Sequence, residues 1–471
     1  MSKYLVYLFV IYASISSFCW GLYSIDDFGA VPESQTLRDV RTNTQAFQSA
    51  VDSANNDKIL ENRIVLIPAG HTYYMTAVSL SFLKSVEVRI NGNITYIDDI
   101  KAWPKSDGGK ALTMLSIEDS DDVTLTGGGH IDGQGLKWWR LTYSGKEIRP
   151  YMFEVSTSIN IHIYDLHLYD APKNFIKLSD LACVHIHDLT IFVDSSLYRT
   201  ITGNDSVTFP LNTDAIDVKA THVSIHDCNI TNYDDAIVAK PCTSAGKYCQ
   251  CASHMDIYNN QIYYSLGYSV GSVAPSEDVT CVSNVTFRDS TLYRPVKALY
   301  VKTNPGESGS GVIEDITYRN IHIEGAIQWT IYIGPQQQNQ PGPKEGTGCS
   351  FGFPLFGECP TQPLIDVRRI TLENIFANNS LPLMESPGLV LCNDSNPCTD
   401  IIFQNVTVMP YLGSVESVIA ELPVPVPGIL FPSRFRNWTV DQWAENGGYL
   451  TQEAYGATQD SYPSPTLLVA A

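Results

Sequence analysis

The sequence predicts an all-β chain wound into a right-handed parallel β-helix, with a short helix capping its N-terminal end. The first observation is a repeat. "INIHIYDLHLY" (159–169), "VHIHDLTIF" (184–192), "VSIHDCNIT" (223–231), "MDIYNNQIY" (255–263), "VTFRDSTLY" (285–293), "ITYRNIHIE" (316–324), "ITLENIFAN" (370–378) and "IIFQNVTVM" (401–409) share one pattern. An apolar anchor is followed two residues later by Asp or Asn, and usually by another apolar residue three positions further on. The anchors are Ile163, Ile186, Ile225, Ile257, Phe287, Tyr318, Leu372 and Phe403, and several successive gaps lie between 23 and 39 residues. The second observation is period-two alternation with β-branched residues, which reads as short strands. One strand–turn–strand unit cannot bury its own apolar face, whereas stacked units bury a continuous core. An immunoglobulin-like sandwich fits less well, because the repeat holds its phase for some 250 residues and Asn-Gly hairpin signals are scarce.

At the N-terminal end, residues 1–21 carry Lys3, then an apolar run, then small residues. This is the pattern of a secretory signal peptide, and the run is too short to span a bilayer. "YSIDDFGAVP", "NTQAFQSAVDSA" and "RIVLIPAGHTYY" follow. Ala46, Phe47, Ala50 and Val51 have helical spacing, so the middle segment reads as the helix that closes the open end of the solenoid. Within each repeat the Asp or Asn marks a turn, since its side chain tolerates unusual dihedrals and bonds nearby backbone. Length alone suggests about three domains, but no linker interrupts the pattern. The β-helix is therefore expected over 22–440, with 441–471 as a tail packed on the solenoid or disordered.

The net charge is −20. That argues against nucleic acid or an anionic membrane as partner, and means that a polyanionic substrate must be held by local cations. Beyond the signal segment ten Cys remain. An even count in a secreted chain suggests disulfides; Cys392/Cys398 and Cys349/Cys359 are the expected local loops, and the other pairings stay open. Eight N-x-S/T sequons, at Asn93, Asn204, Asn229, Asn284, Asn378, Asn393, Asn405 and Asn437, fit a secreted, extracellular glycoprotein. A monomer is expected, with no cofactor.

Two stretches carry the candidate chemistry: "NTDAIDVK" (212–219) and "NYDDAIVAK" (232–240). Aligned by apolar pattern with "LGYSVGS" and "KALYVKT", they place Asp214, Asp235, Leu266 and Lys297 in one column. Equivalent positions on neighbouring rungs lie roughly 4.8 Å apart, so Asp214 and Asp235 should touch, with Asp234 beside them. Three such carboxylates repel and should raise at least one pKa. A glycosidase uses that arrangement: a protonated carboxyl donates to the leaving oxygen while an ionised one activates water. The competing readings are ordinary turn aspartates, which would hold for any one of them alone, and a calcium site; no metal is assigned.

At these residues the chain resembles glycoside hydrolase family 28, the polygalacturonases and rhamnogalacturonan hydrolases, which share a pectin-lyase-like solenoid. "DFGA", "AFQSAV", "IPAG", "IDGQGLKWW", "VTFRDSTL" and "ALYVKTNPGESGSGVIEDITYRNIHI" extend the likeness, and "NTD" followed by "DD" is its specific part. The resemblance implies an inverting general acid/base mechanism, with Asp234 as the general acid and Asp214 and Asp235 holding the nucleophilic water. Lys302 matches the Lys of the family's Arg-Ile-Lys motif. Asn212, Tyr300 and Lys297 join it as expected substrate-binding residues, and a pectic polysaccharide is the expected substrate.

The chain departs from the family at three places. The family's Gly-His-Gly reads Ser265-Leu266-Gly267, Tyr300 replaces the Arg, and Ala236 replaces the Cys after the paired Asp. Leu donates no hydrogen bond and Tyr is no bidentate cation, although Lys297 could compensate in part. Rhamnogalacturonan therefore stands beside polygalacturonate as a candidate. A non-catalytic carbohydrate-binding β-helix and a calcium-dependent eliminase are the alternatives from other classes. His185, His187, His222 and His226 read as strand residues, Trp138 and Trp139 as loop packing or a sugar platform, and "PQQQNQPGPKEG" (335–346) as a polar loop.

Overall fold

The structure is a computed structural model that describes residues 21–142, 148–194, 210, 212–337, 349, 353, 358–380 and 388–410. The expected signal peptide (apart from Gly21), the tail 441–471, most of the 335–346 loop, and Asn204 and Asn437 lie outside these residues.

The described strands form one continuous sheet wound as a parallel β-helix, and every pairing among them is parallel except Cys242–Thr243 against Thr280–Cys281. The eight anchors stand in a single register column. Ile163 pairs with Ile186, then in turn come Ile225, Ile257, Phe287, Tyr318, Leu372 and Phe403. The column continues towards the N-terminus through Leu125, Val88 and Val65. All but Phe403 are buried, and each aliphatic anchor removed from water contributes about 1.5–3 kcal/mol. The sandwich reading fails, because adjacent rungs pair in parallel at every repeat.

Behind each anchor, the turn residues Asp165, Asp188, Asp227, Asn259, Asp289, Asn320, Asn374 and Asn405 all have left-handed backbone, with φ between 51° and 55°. Asn and Asp tolerate this region better than other L-residues. Their side chains also bond between rungs: Asn320 Nδ2 donates to Asp289 Oδ1 at 2.9 Å, Asn374 to Asn320 at 3.0 Å and Asn405 to Asn374 at 2.8 Å.

The capping helix is longer than its apolar spacing suggested, spanning Leu37–Asn56. Thr36 starts it by accepting from the Asp39 N–H, and Val40, Asn43, Ala46, Phe47, Ala50, Val51 and Ala54 turn inward. Phe47 and Val51 join the same apolar core as Val65 and Val88.

Four disulfides form: Cys349–Cys359 and Cys392–Cys398 as expected, with Cys242–Cys249 and Cys251–Cys281. Cys183 and Cys228 are unpaired. Trp138 and Trp139 are buried, with Trp139 Nε1 donating to the Ala171 carbonyl, so they pack a loop and offer no sugar platform. Among the described residues, no helix is long and apolar enough to cross a membrane.

Candidate active site

The site is assembled where short loops enter successive strands of one face. Asp214 precedes the strand Ile216–His226, and Asp234 and Asp235 precede Ile237–Ala239. Ser269 lies in Tyr268–Val273, and Lys297, Tyr300 and Lys302 in Lys297–Thr303. The register pairs Ile216 with Ile237, Ile237 with Tyr268, and Tyr268 with Leu299. Two residues before these positions stand Asp214, Asp235, Leu266 and Lys297, in one column. Main-chain bonds from Ala215 N to Asp235 O (2.9 Å) and Ala236 N to Gly267 O (3.0 Å) hold the loops in step. Gly267 is required here: its φ is +66°, and a Cβ would meet the Ala298 carbonyl oxygen at 2.1 Å.

The three acids converge. Asp214, Asp234 and Asp235 are 5 %, 4 % and 1 % exposed, and each offers an oxygen within 4.8 Å of the others. Their environments differ. Asp234 accepts from two main-chain N–H groups, Asn212 to Oδ2 at 3.0 Å and Asp235 to Oδ1 at 2.9 Å. Burial, reinforced by the charges of Asp214 and Asp235, nevertheless pushes its carboxyl up to about 7. Burial acts the same way on Asp235, but Lys302 and Lys240 outweigh it and hold that group below the usual carboxylate range. Lys302 Nζ donates to Asp235 Oδ1 at 2.8 Å and Oδ2 at 2.6 Å, and Ser269 Oγ donates to Oδ1 at 2.7 Å. One carboxyl is thus tuned to keep its proton and its neighbour to lose it.

The remaining candidates sit as follows. Asn212, at φ 58°, gives its N–H to Asp234, and its Oδ1 accepts from Arg149 Nη2 at 3.1 Å. Tyr300 is buried; its hydroxyl accepts from the Gln337 N–H at 3.1 Å, and the Lys297 and Lys302 ammoniums lie 5.1 and 4.7 Å from its ring centroid. Lys297 is buried, and desolvation together with Lys302 lowers its pKa to about 7. Leu266 stands between Asp235 and Lys297 in the column.

Four further residues belong to the cluster. Lys240 Nζ lies 3.4 Å from Asp235, 3.7 Å from Asp214 and 3.8 Å from Asp217. Asn174 Nδ2 donates to Asp217 Oδ2 at 2.9 Å. Asn232 ties the loops together, its Nδ2 reaching the carbonyls of Thr213, Asp234 and Asp235 at 2.9, 3.1 and 2.8 Å. The repeated "D-A-I" pattern hides Asp217, which lies three residues past Asp214 and so belongs to the opposite strand parity.

The three converging carboxylates are the one group among the described residues with a metal-like donor spacing. Their chemistry fits a cation poorly. Both Asp235 oxygens are taken by the Lys302 ammonium, which supplies positive charge where an ion would sit.

The family model described as glycosyl hydrolases family 28 matches residues 58–426. The chain belongs to glycosyl hydrolase family 28. Among the relatives of this family 28 chain, a probable endo-xylogalacturonan hydrolase A from Aspergillus oryzae is 30% identical over 289 residues, 59% of this chain and 64% of that protein. The match thus spans just under two thirds of that relative. An exopolygalacturonase from Cochliobolus carbonum is 26% identical over 383 residues, 76% of each chain. Of solved structures, the endo-xylogalacturonan hydrolase from Aspergillus tubingensis superposes with a TM-score of 0.62 at 19% identity, covering 82% of this chain and 92% of that one. An exopolygalacturonase from Thermotoga maritima gives 0.57 at 16% identity, covering 83% and 87%. At these identities the superpositions establish a shared fold.

Proposed function

We propose that this family 28 chain is a secreted glycoside hydrolase that cleaves a pectic galacturonan by general acid/base catalysis. The carrying observation is the division of labour among three carboxyls that converge within 4.8 Å: Asp234 raised to about 7, Asp235 lowered by its ion pair with Lys302, and Asp214 one rung away. Asp234 gives its proton to the leaving glycosidic oxygen as the bond to the anomeric carbon breaks. Water attacks that carbon, and its proton passes to a carboxylate. Asp235 has both oxygens bound by Lys302 and one by Ser269, so it orients the water and Asp214 accepts the proton. Lys297, cationic below about pH 7, offsets the carboxylates and supports a galacturonate substrate. The disulfides suit an oxidising extracellular compartment.

The relatives named above act, by name, on xylogalacturonan and polygalacturonan. Of the two candidate polymers, that favours the galacturonan main chain, plain or xylose-substituted, over rhamnogalacturonan. Reducing-end release from polygalacturonate and from xylogalacturonan, by the wild type and by Asp234→Asn, tests the proposal. Activity that survives in Asp234→Asn removes Asp234 as the acid, and no release from either polymer removes the hydrolase reading.

A second reading concerns stereochemistry. Carboxyl oxygens within 4.8 Å are closer than the roughly 6.5–9.5 Å of inverting pairs and nearer the roughly 5–5.5 Å of retaining ones. Inversion is still favoured, because Asp214 and Asp235 face each other across adjacent rungs and can share one water. A retaining enzyme would need one of them to reach the sugar carbon directly.

A further inference from the structure

A fourth carboxyl, Asp217, its side chain 14 % exposed, stands against the three. Asp217 lies beside Asp214, with Lys240 Nζ 3.8 and 3.7 Å from one oxygen of each, and its Oδ2 accepts from Asn174 at 2.9 Å. The Oδ1 atoms of Asp214 and Asp217 are both sealed from solvent, and among the described residues neither has a hydrogen-bond donor. Two neighbouring carboxylates, each with an orphaned buried oxygen, are strongly disfavoured if both are charged, whereas one shared proton satisfies both oxygens. The charges around them give the same answer. Lys302 is committed to Asp235 and Lys297 faces Asp234 and Asp235, so the cation at the Asp214–Asp217 pair is Lys240, which spreads one charge over Asp214, Asp217 and Asp235 at 3.4–3.8 Å. At that pair a negative charge therefore stays uncompensated unless a proton is held, besides the one on Asp234.

We propose that Asp217 is a positioning residue that carries the second proton of the cluster and donates it to Asp214, fixing Asp214 as the ionised base. The inference rests on the hydrolase reading above and adds to it a residue that does not touch the substrate. The groups facing Asp217 are Asp214, Asp235, Lys240, Asn174 and, along its own strand, Lys219. Burial first, then the charges of Asp214 and Asp235, push its carboxyl well above the ordinary range, and Lys240 opposes this only in part. The proton on Asp217 is not consumed in turnover. It occupies Asp214 Oδ1 and leaves Oδ2 for the water.

The test compares Asp217→Ala with Asp217→Asn in the full chain, using polygalacturonate and xylogalacturonan. The alanine variant loses the donor, and its kcat should fall about 100-fold with KM within threefold. The asparagine variant replaces the protonated carboxyl by an amide donor and should recover at least tenfold of that loss. If Asn is as damaging as Ala, Asp217 is needed as an anion and the proposal fails. It also fails if Ala leaves kcat per folded molecule unchanged, with only the unfolding temperature lowered. Should the alanine variant not fold, an infrared difference spectrum of wild type minus Asp217→Asn at mildly acidic pH decides, because a protonated carboxyl has its own carbonyl stretch. Absence of that band overturns the assignment. The band is read without substrate, so a protein that hydrolyses neither polymer would refute the hydrolase reading while leaving the proton on Asp217 still measurable.

Discussion

Lys302 sets its Nζ 2.8 and 2.6 Å from the two oxygens of Asp235, an ion pair closed off from solvent between strands two rungs apart. Removing one partner of such a pair leaves a buried charge uncompensated and costs about 3–5 kcal/mol. Lys302→Met should therefore lower the unfolding free energy by that order in denaturant titrations. It should also cut kcat by at least tenfold, because Asp235 would take up a proton and loosen its hold on water.

Asp234→Asn keeps the shape of the side chain but retains only one of the two main-chain hydrogen bonds, since an amide nitrogen does not accept. An amide gives up no proton to a leaving oxygen. General acid catalysis is worth about 10²–10⁴-fold, so kcat should fall by that range while KM for galacturonan oligosaccharides changes little. Steady-state kinetics on defined oligosaccharides measure both.

The pH dependence follows from Asp234 at about 7. The donor must be protonated, so kcat should be highest on the acidic side and fall about tenfold per pH unit well above 7. Stability moves in the same direction. A carboxyl whose folded pKa exceeds its unfolded value binds more protons in the folded state, so its contribution is complete at acidic pH and is lost as pH rises through the folded pKa. Asp170, which burial also pushes up to about 7, adds to this. The unfolding temperature should decline between about pH 4 and 7, and calorimetry across that window reads it.

Asn320 carries a left-handed φ of 54° and two rungs of the side-chain ladder. Asn320→Ala loses both bonds and keeps a Cβ in an unfavourable region, so it should cost about 2–3 kcal/mol. Asn320→Gly loses the bonds but relieves the backbone and should cost about 1 kcal/mol less. Equal losses in the two variants would mean that the dihedral carries no weight.

Much of this architecture was legible in the residues. The anchors from Ile163 to Phe403 recur because each fills the same place in the core, and the Asp or Asn two residues on recurs because each occupies a left-handed turn. The pairing of Asp214 with Asp235 follows from the same phase, since both lie two residues before the first inward Ile of their strands. Other parts could not be read this way. Lys240 and Asp217 join the cluster through side-chain reach across rungs, which no periodicity encodes. Strand alternation even argues against Asp217, because a residue three places from Asp214 should face the other way; Asp214 escapes that rule by lying in the loop before the strand. In the strand Lys297–Thr303 every residue is buried, so alternation does not separate an inward face from an outward one, and the burial of Tyr300 was hidden.

The proposed hydrolysis needs three acids arranged around one attacking water, and the anomeric configuration of the first product reports on that water most directly. Purified protein mixed with a defined galacturonan oligosaccharide, followed by proton NMR from the earliest minutes, should release a reducing end of inverted configuration that then mutarotates, and Asp234→Asn should release almost none. A first product of retained configuration, or an unsaturated product, would contradict it.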